Sequence, residues 1–262
     1  MILVLSRSGD PAQAAQEQAV LDGAVAAGAR VWVTGHLYHL AEDCALWADL
    51  AAQPGPLRVA AWLHPRPCSA LLQRHGAWPA GSLAADLGAG DAAAVLAALE
   101  LVPAPAPGAA VQRDDLPDGP RWHPLIDQAL CTSCGHCHQF CLFGVYSRDA
   151  AGRISVTKPD ACKSGCPACA RVCPQGAVMF PLYQDPAIAG APGQRMQLDL
   201  RGRQLFYNRT GTACPRCGLV AKRDPGGGTP CPECGRSQPR PSAPRDALDS
   251  LIDDLDRLGG RR

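Results

Sequence analysis

Two stretches decide the architecture of the middle of this chain: Cys131-Thr-Ser-Cys134-Gly-His-Cys137-His-Gln-Phe-Cys141 and Cys162-Lys-Ser-Gly-Cys166-Pro-Ala-Cys169-Ala-Arg-Val-Cys173-Pro174. The first spaces its cysteines as C-x2-C-x2-C-x3-C, the second as C-x3-C-x2-C-x3-C-P. The two are copies of each other. Cys134, Cys137 and Cys141 map onto Cys166, Cys169 and Cys173 at a constant offset of 32, while Cys131 and Cys162 are 31 apart, so the second copy carries one inserted residue. The residues that follow repeat as well: Cys141-Leu-Phe-Gly-Val matches Cys173-Pro-Gln-Gly-Ala-Val.

These copies hold eight of the chain's 14 cysteines, and four more follow as a third group at Cys214, Cys217, Cys231 and Cys234. The opening Met1-Ile2-Leu3-Val4-Leu5 meets Ser6-Arg7 at once, with neither the basic segment nor the apolar length of a secretion signal. No apolar run has the ~18–20 residues of a membrane helix. The expectation is a cytoplasmic chain with reduced thiols, in which clustered cysteines read as metal sites ahead of disulfides. The spacing suits a cubane iron–sulfur cluster. Three cysteines two residues apart can wrap three iron corners with their amides turned toward sulfur, and the fourth corner takes a cysteine from elsewhere; in the two-cluster arrangement that is the other copy. One cluster is assigned to Cys131, Cys134, Cys137 and Cys173, the other to Cys162, Cys166, Cys169 and Cys141. Zinc does not match three evenly spaced cysteines with a remote fourth. A c-type haem at Cys134-Gly-His-Cys137-His138 leaves Cys131 and Cys141 unexplained. His136 and His138 are expected on the solvent side of the ligand loop.

Over residues 127–179 the chain resembles the bacterial two-cluster [4Fe–4S] ferredoxins, and the wider sequence resembles ferredoxin-domain proteins with an extended N-terminal region. The resemblance implies a small α+β domain of two pseudosymmetric halves around two cubanes, with Ile154-Ser-Val and Val178-Met-Phe as hairpin strands. Leu142 replaces the proline that follows the fourth cysteine in the other copy. Phe140, Leu142, Phe143, Ala168 and Val172 are expected as the dry walls.

Cys214-Pro-Arg-Cys217-Gly218 and Cys231-Pro-Glu-Cys234-Gly235 are two C-P-x-C-G turns 13 residues apart. Four thiolates make a tetrahedron for zinc or a single iron. Residues 214–235 resemble both zinc ribbons and the rubredoxin-like module of rubrerythrins; zinc is the expectation, one mononuclear iron the alternative.

Residues 1–101 read as an α/β domain with a parallel sheet. Apolar runs at 2–5, 30–34 and 58–63 alternate with helical stretches at 12–27, 37–51 and 91–101, and Asp91 is placed to cap the last. The loop Ser6-Arg7-Ser8-Gly9 lies where such folds bind ligands but carries no phosphate-binding fingerprint; Ser8 or Asp10 is expected to cap the helix instead. His36, His39, His64 and His75 show no ligand spacing with any cysteine, and Cys44 and Cys68 read as isolated thiols, one of them core. Residues 102–120 read as a linker that five prolines keep from regular hydrogen-bonded structure. Residues 121–183 form the cysteine-rich domain, 184–213 a second linker with a basic segment, and 245–258 an amphipathic helix striped with Leu248, Leu251, Ile252, Leu255 and Leu258.

Lys and Arg total 25 against 24 Asp and Glu. That balance disfavours a nucleic-acid partner. No acid–base pair or activated nucleophile is visible, so no catalysis is expected of this chain alone. The expected function is single-electron transfer between redox partner proteins. The alternatives are an electron-delivering subunit of a larger oxidoreductase, and an iron–sulfur or zinc protein with a structural, redox-sensing or nucleic-acid-binding role.

Overall fold

The structure is a computed structural model and describes residues 1–102 and 104–196. In chain order the first half comprises β1 (Ile2–Ser6), α1 (Ala14–Ala26), β2 (Arg30–Thr34), α2 (Ala45–Ala51), β3 (Leu57–Ala61), α3 (Pro65–Arg74), β4 (Leu83–Asp86), α4 (Ala92–Ala98) and β5 (Ala109–Gln112). The second half comprises β6 (Leu125–Ile126), α5 (His136–Phe140), β7 (Tyr146–Arg148), β8 (Ile154–Val156), α6 (Ala168–Arg171), β9 (Val178–Met179) and α7 (Pro186–Ala189).

The first half is the expected parallel α/β fold. Its five strands run in the order β4-β3-β1-β2-β5, with Val4 opposite both Trp32 of β2 and Val59 of β3. The central strands are mostly apolar because helices cover both faces. On one face α1 and α4 bring Val20, Ala24, Val95 and Leu99 onto Leu3, Leu5, Val31 and Ala60. On the other, α2 and α3 bring Leu46, Trp47, Leu50, Leu71 and Leu72 onto Val4, Val59 and Ala61. Asp91 caps α4 as expected, accepting from the Ala94 amide at 2.8 Å.

Several expectations need correction. The helix expected over 37–51 is split into a 3-10 turn at Leu37–His39 and α2, with Cys44 at the N-cap. Two elements, α3 and β4, were hidden in the sequence. Pro65 and Pro67 look like breakers but stand in the first turn of α3, where a missing N–H costs nothing. The linker at 102–120 is not free of regular structure. Its residues 109–112 lie between the prolines and form the edge strand β5, Arg30 opposite Ala109 and Val33 opposite Gln112. Gly108 makes this approach feasible, since a Cβ there would lie 1.8 Å from the Ala29 carbonyl oxygen. The irregular stretch expected after residue 183 contains α7, capped by Asp185.

The boundary between residues 1–101 and 121–183 is one of topology and not of packing: the described residues belong to one compact unit. The cysteine-rich half consists of two antiparallel pairs, β6 with β9 and β7 with β8, and two short helices. Leu125 of β6 and Met179 of β9 belong to the core under α2 and α3. Tyr38 ties the halves further. Its fully buried hydroxyl donates to the His123 carbonyl at 2.6 Å and accepts from the His123 amide at 2.8 Å. Arg66 of α3 donates to the Gly176 carbonyl at 2.8 Å and pairs with Asp127 at 3.3 Å. Arg121 joins Asp160 to Glu42, which also holds Arg74. Among the described residues no helix is long and apolar enough to cross a membrane.

Replacing Tyr38 by Phe strands a buried amide and carbonyl. It is expected to cost about 1–3 kcal/mol, read from denaturant unfolding; a loss below about 0.5 kcal/mol would show that the bond pair does not hold the halves together. His123 gives a pH signature. Burial, then the nearby Arg74 and Arg121 cations, hold its ring down to about 3 from 6.5. The folded state therefore binds fewer protons than the unfolded chain between those values, so stability is full above pH 6.5 and is lost as pH falls toward 3. His123→Phe should flatten the stability slope between about pH 4 and 6 by as much as ~1.4 kcal/mol per pH unit. An unchanged slope would contradict the burial of a neutral ring.

Candidate metal centre

The first cysteine loop starts at β6, where Asp127 organises the turn: its carbonyl accepts from the Cys131 amide at 3.0 Å and its carboxylate from the Ala129 amide at 3.1 Å. The chain then curls tightly. Ser133 adopts φ 53°, a left-handed conformation uncommon for a side chain, and donates its amide to Cys131 Sγ at 3.4 Å. Gly135 follows at φ 84°, where a Cβ would lie 2.5 Å from the Arg148 guanidinium. These two residues bring Cys134 and Cys137 to the same side of the loop as Cys131. The second loop repeats the pattern through Gly165, at φ 75°, and α6. At its end Cys173 Sγ accepts from the Ala177 amide at 3.3 Å.

Three thiols of the first copy and one of the second meet at a single cavity. Cys131, Cys134, Cys137 and Cys173 line it, with Ile126, Ile154, Ala177 and Val178 as apolar wall. Burial, then the neighbouring Cys173, Cys134 and Cys131, push the Cys137 thiol up to about 12. The remaining four form a second group. Burial, then Cys166 and Cys141, push Cys162 up to about 12. Burial also pushes Cys169 up to about 12, against a bond from Tyr146 and with further help from Cys162, Cys137 and Cys141. The eight cysteines thus fall into two sets, each with three members from one copy and the last from the other. The sets meet where Cys137 and Cys169 approach.

The donor chemistry fits a bound cluster. Thiols gathered this closely, some of them buried, suit a positive core that several thiolates can share. Among the described residues no group of three or more His, Cys, Asp or Glu side chains is arranged to hold a metal ion. A single ion needs its sulfurs within about 2.3 Å of one point, whereas a cubane attaches each thiolate to a different iron. The hydroxyl of Tyr146 is a further sign. It is buried beside the Cys169 thiol, and burial, then Cys169, Cys137 and Cys141, raise it far above the phenol range.

Other expectations about this site change. His136 is buried, not on the solvent side, and its Nδ1 lies 3.1 Å from Cys134 Sγ. Burial would raise the Cys134 thiol, but bonds from the His136 ring and amide outweigh it and hold the thiol below its ordinary value. His138 is exposed as expected. Leu142 and Phe143 are not walls but lie in solvent, 91% and 43% exposed. Val172 is buried, Phe140 and Ala168 are half-buried, and the dry wall comes mainly from Ile126, Val145, Ile154, Ala170, Ala177 and Phe180. The repeat itself could have singled out Tyr146, since it stands where the second copy has Val178, at the same offset of 32. The tail cysteines Cys214, Cys217, Cys231 and Cys234, and the helix expected over 245–258, lie outside the described residues.

The α/β half has a crevice at the C-terminal ends of β1 and β3, the place where such sheets bind ligands. Here it is filled from within. The buried Glu17 carboxylate accepts from the Ser8 amide at 2.7 Å, the Ser8 hydroxyl at 2.9 Å and Trp62 Nε1 at 2.8 Å, with Arg7 Nε at 3.9 Å. The loop's donors face this internal carboxylate. Asp10 caps the following turn through the Ala12 amide, as expected. Cys68 is a core thiol, and Cys44 Sγ lies 3.5 Å from Asp115. His64 pairs with Asp86 at 2.8 Å, His75 stacks on Trp47, and the His39 ring lies tilted by 33° against His36.

No protein-family model, curated protein or solved structure matches this chain.

Glu17→Ala leaves three donors unanswered and is expected to lower stability by about 2–3 kcal/mol in denaturant unfolding. A change below about 0.5 kcal/mol would show that the carboxylate does not hold the crevice closed.

Proposed function

We propose that this protein carries two [4Fe–4S] clusters and passes single electrons between redox partner proteins. The reading rests on one observation above all: Cys173 leaves its own copy to complete the cavity of Cys131, Cys134 and Cys137. Cys141 reciprocates beside Cys162 and Cys169. Each cluster, when bound, supplies a one-electron couple whose potential depends on hydrogen bonds to sulfur and on burial.

The chain's own residues supply those influences. Amides of Ser133 and Ala177 donate to Cys131 and Cys173 sulfurs, and the His136 ring lies within bonding distance of Cys134. Ile126, Ile154, Ala177 and Val178 keep water from one set. Val145, Tyr146 and Ala170 belong to the same apolar cluster. Tyr146 lies at the junction of the sets, with its hydroxyl beside the Cys169 thiol and able to donate to that sulfur once it is a cluster ligand. The α/β half holds both loops in place through Tyr38, Arg66 and Arg121, so little need move when charge arrives. For residues 214–235 the proposal, one zinc on Cys214, Cys217, Cys231 and Cys234 with one mononuclear iron as the other reading, rests on spacing alone.

Anoxically prepared protein should contain about eight irons and eight sulfides in the two clusters and give a cubane-type EPR signal on reduction. Colourless protein without sulfide would overturn the proposal. Tyr146→Phe removes one donor to sulfur. It should lower the potential of one cluster by on the order of 40 mV, the one-electron equivalent of about 1 kcal/mol, and leave the other in place. Two unchanged potentials would show that the hydroxyl does not reach a ligand.

A further inference from the structure

The largest exposed apolar feature of the cysteine-rich half adjoins the second thiol set. Leu142 and Phe143 directly follow Cys141 and are 91% and 43% exposed, the only two large exposed hydrophobics adjacent in sequence among the described residues. Exposed apolar pairs of this kind are a cost to a soluble surface unless something covers them. Two lysines are tied by the backbone to the same loops. The Lys158 amide donates to the Val145 carbonyl, two residues beyond Phe143. Lys163 follows Cys162, whose thiol interacts with that of Cys141. Both lysines are exposed.

The unpaired charge of the cysteine-rich half is one-sided. Residues 121–183 contain three carboxylates, and each is paired with an arginine: Asp127 with Arg66, Asp149 with Arg153, and Asp160 with Arg121. Lys158 and Lys163 pair with no carboxylate among the described residues, and Arg148 and Arg171 donate to the neutral Ser133 carbonyl and Tyr183 hydroxyl. An apolar centre with a positive rim matches the anatomy of a transient protein interface and selects a partner of opposite charge.

Building on the electron-transfer reading above, we infer that Leu142 and Phe143, rimmed by Lys158 and Lys163, form the docking face for an acidic redox partner protein, and that electrons leave through the thiol set of Cys141, Cys162, Cys166 and Cys169. The partner's carboxylates approach the lysines, its apolar centre covers Leu142 and Phe143, and the chain contributes no bond that must break on release.

The test uses full-length reduced protein in stopped-flow with two protein acceptors of opposite charge, an acidic flavodoxin and basic cytochrome c. With the acidic acceptor the second-order rate should fall as salt rises, since the attraction is screened. K158E/K163E should slow it at least tenfold at low salt and speed the reaction with cytochrome c. L142S/F143S should slow the acidic acceptor several-fold while iron and sulfide contents stay at the wild-type level. Rates that ignore both pairs of substitutions in cluster-containing protein would overturn the docking face alone. Absence of clusters in the wild type would overturn the electron-transfer reading first, and the docking face with it.

Discussion

Buried thiols repel one another's ionised forms, and this repulsion constrains everything else in the cysteine-rich half. Cys137, Cys162 and Cys169 are all pushed up to about 12, first by burial and then by their neighbours. Such a site is poised for a positive core that turns mutual repulsion into shared attraction. The secondary structure around it is slight. Its strands are two or three residues long and its helices four or five. Elements of that size cannot stabilise themselves. Support from outside is therefore needed, and under the proposed function cluster ligation adds to it from within.

The outside support is the α/β half. Its sheet buries residues on both faces, and on one face the core continues without a break into Leu125 and Met179. The strand pair β6–β9 thus belongs to two bodies at once: it lines the thiol cavity with Ile126 and Val178 and fills the α/β core with the residues next to them. Alternation along a strand makes this economical, because successive side chains point to opposite faces. At the end of β1 in the same sheet, Glu17 takes the amide and hydroxyl of Ser8. The α/β half supports the cysteine loops through the shared core.

Much of this was legible in the sequence. The repeat at offset 32 gave the two thiol sets, and the structure gathers Cys131, Cys134, Cys137 and Cys173 on one cavity as that repeat implies. The parallel sheet was legible from three apolar runs, and the cap on α4 from Asp91. What escaped has physical reasons. α3 begins with two prolines that are breakers anywhere except a first turn. β4 is Leu-Ala-Ala-Asp, too short and too small to show a period. β5 is exposed along its whole length and owes its place to Gly108 and to a vacant sheet edge, which no local pattern records. His136 looked like a solvent residue because a histidine between cysteines carries no periodic signal of burial. Leu142 and Phe143 looked like walls because apolar character alone does not tell an inward from an outward residue at a turn.

The central claim is the exchange of one cysteine between the two copies. X-ray diffraction from anoxically grown crystals, with anomalous data at the iron edge, tests it most directly. The account predicts two separate four-iron sites, one bonded to Cys131, Cys134, Cys137 and Cys173 and the other to Cys162, Cys166, Cys169 and Cys141. Iron absent from residues 121–183, or each copy closing a site with its own four cysteines, would contradict it.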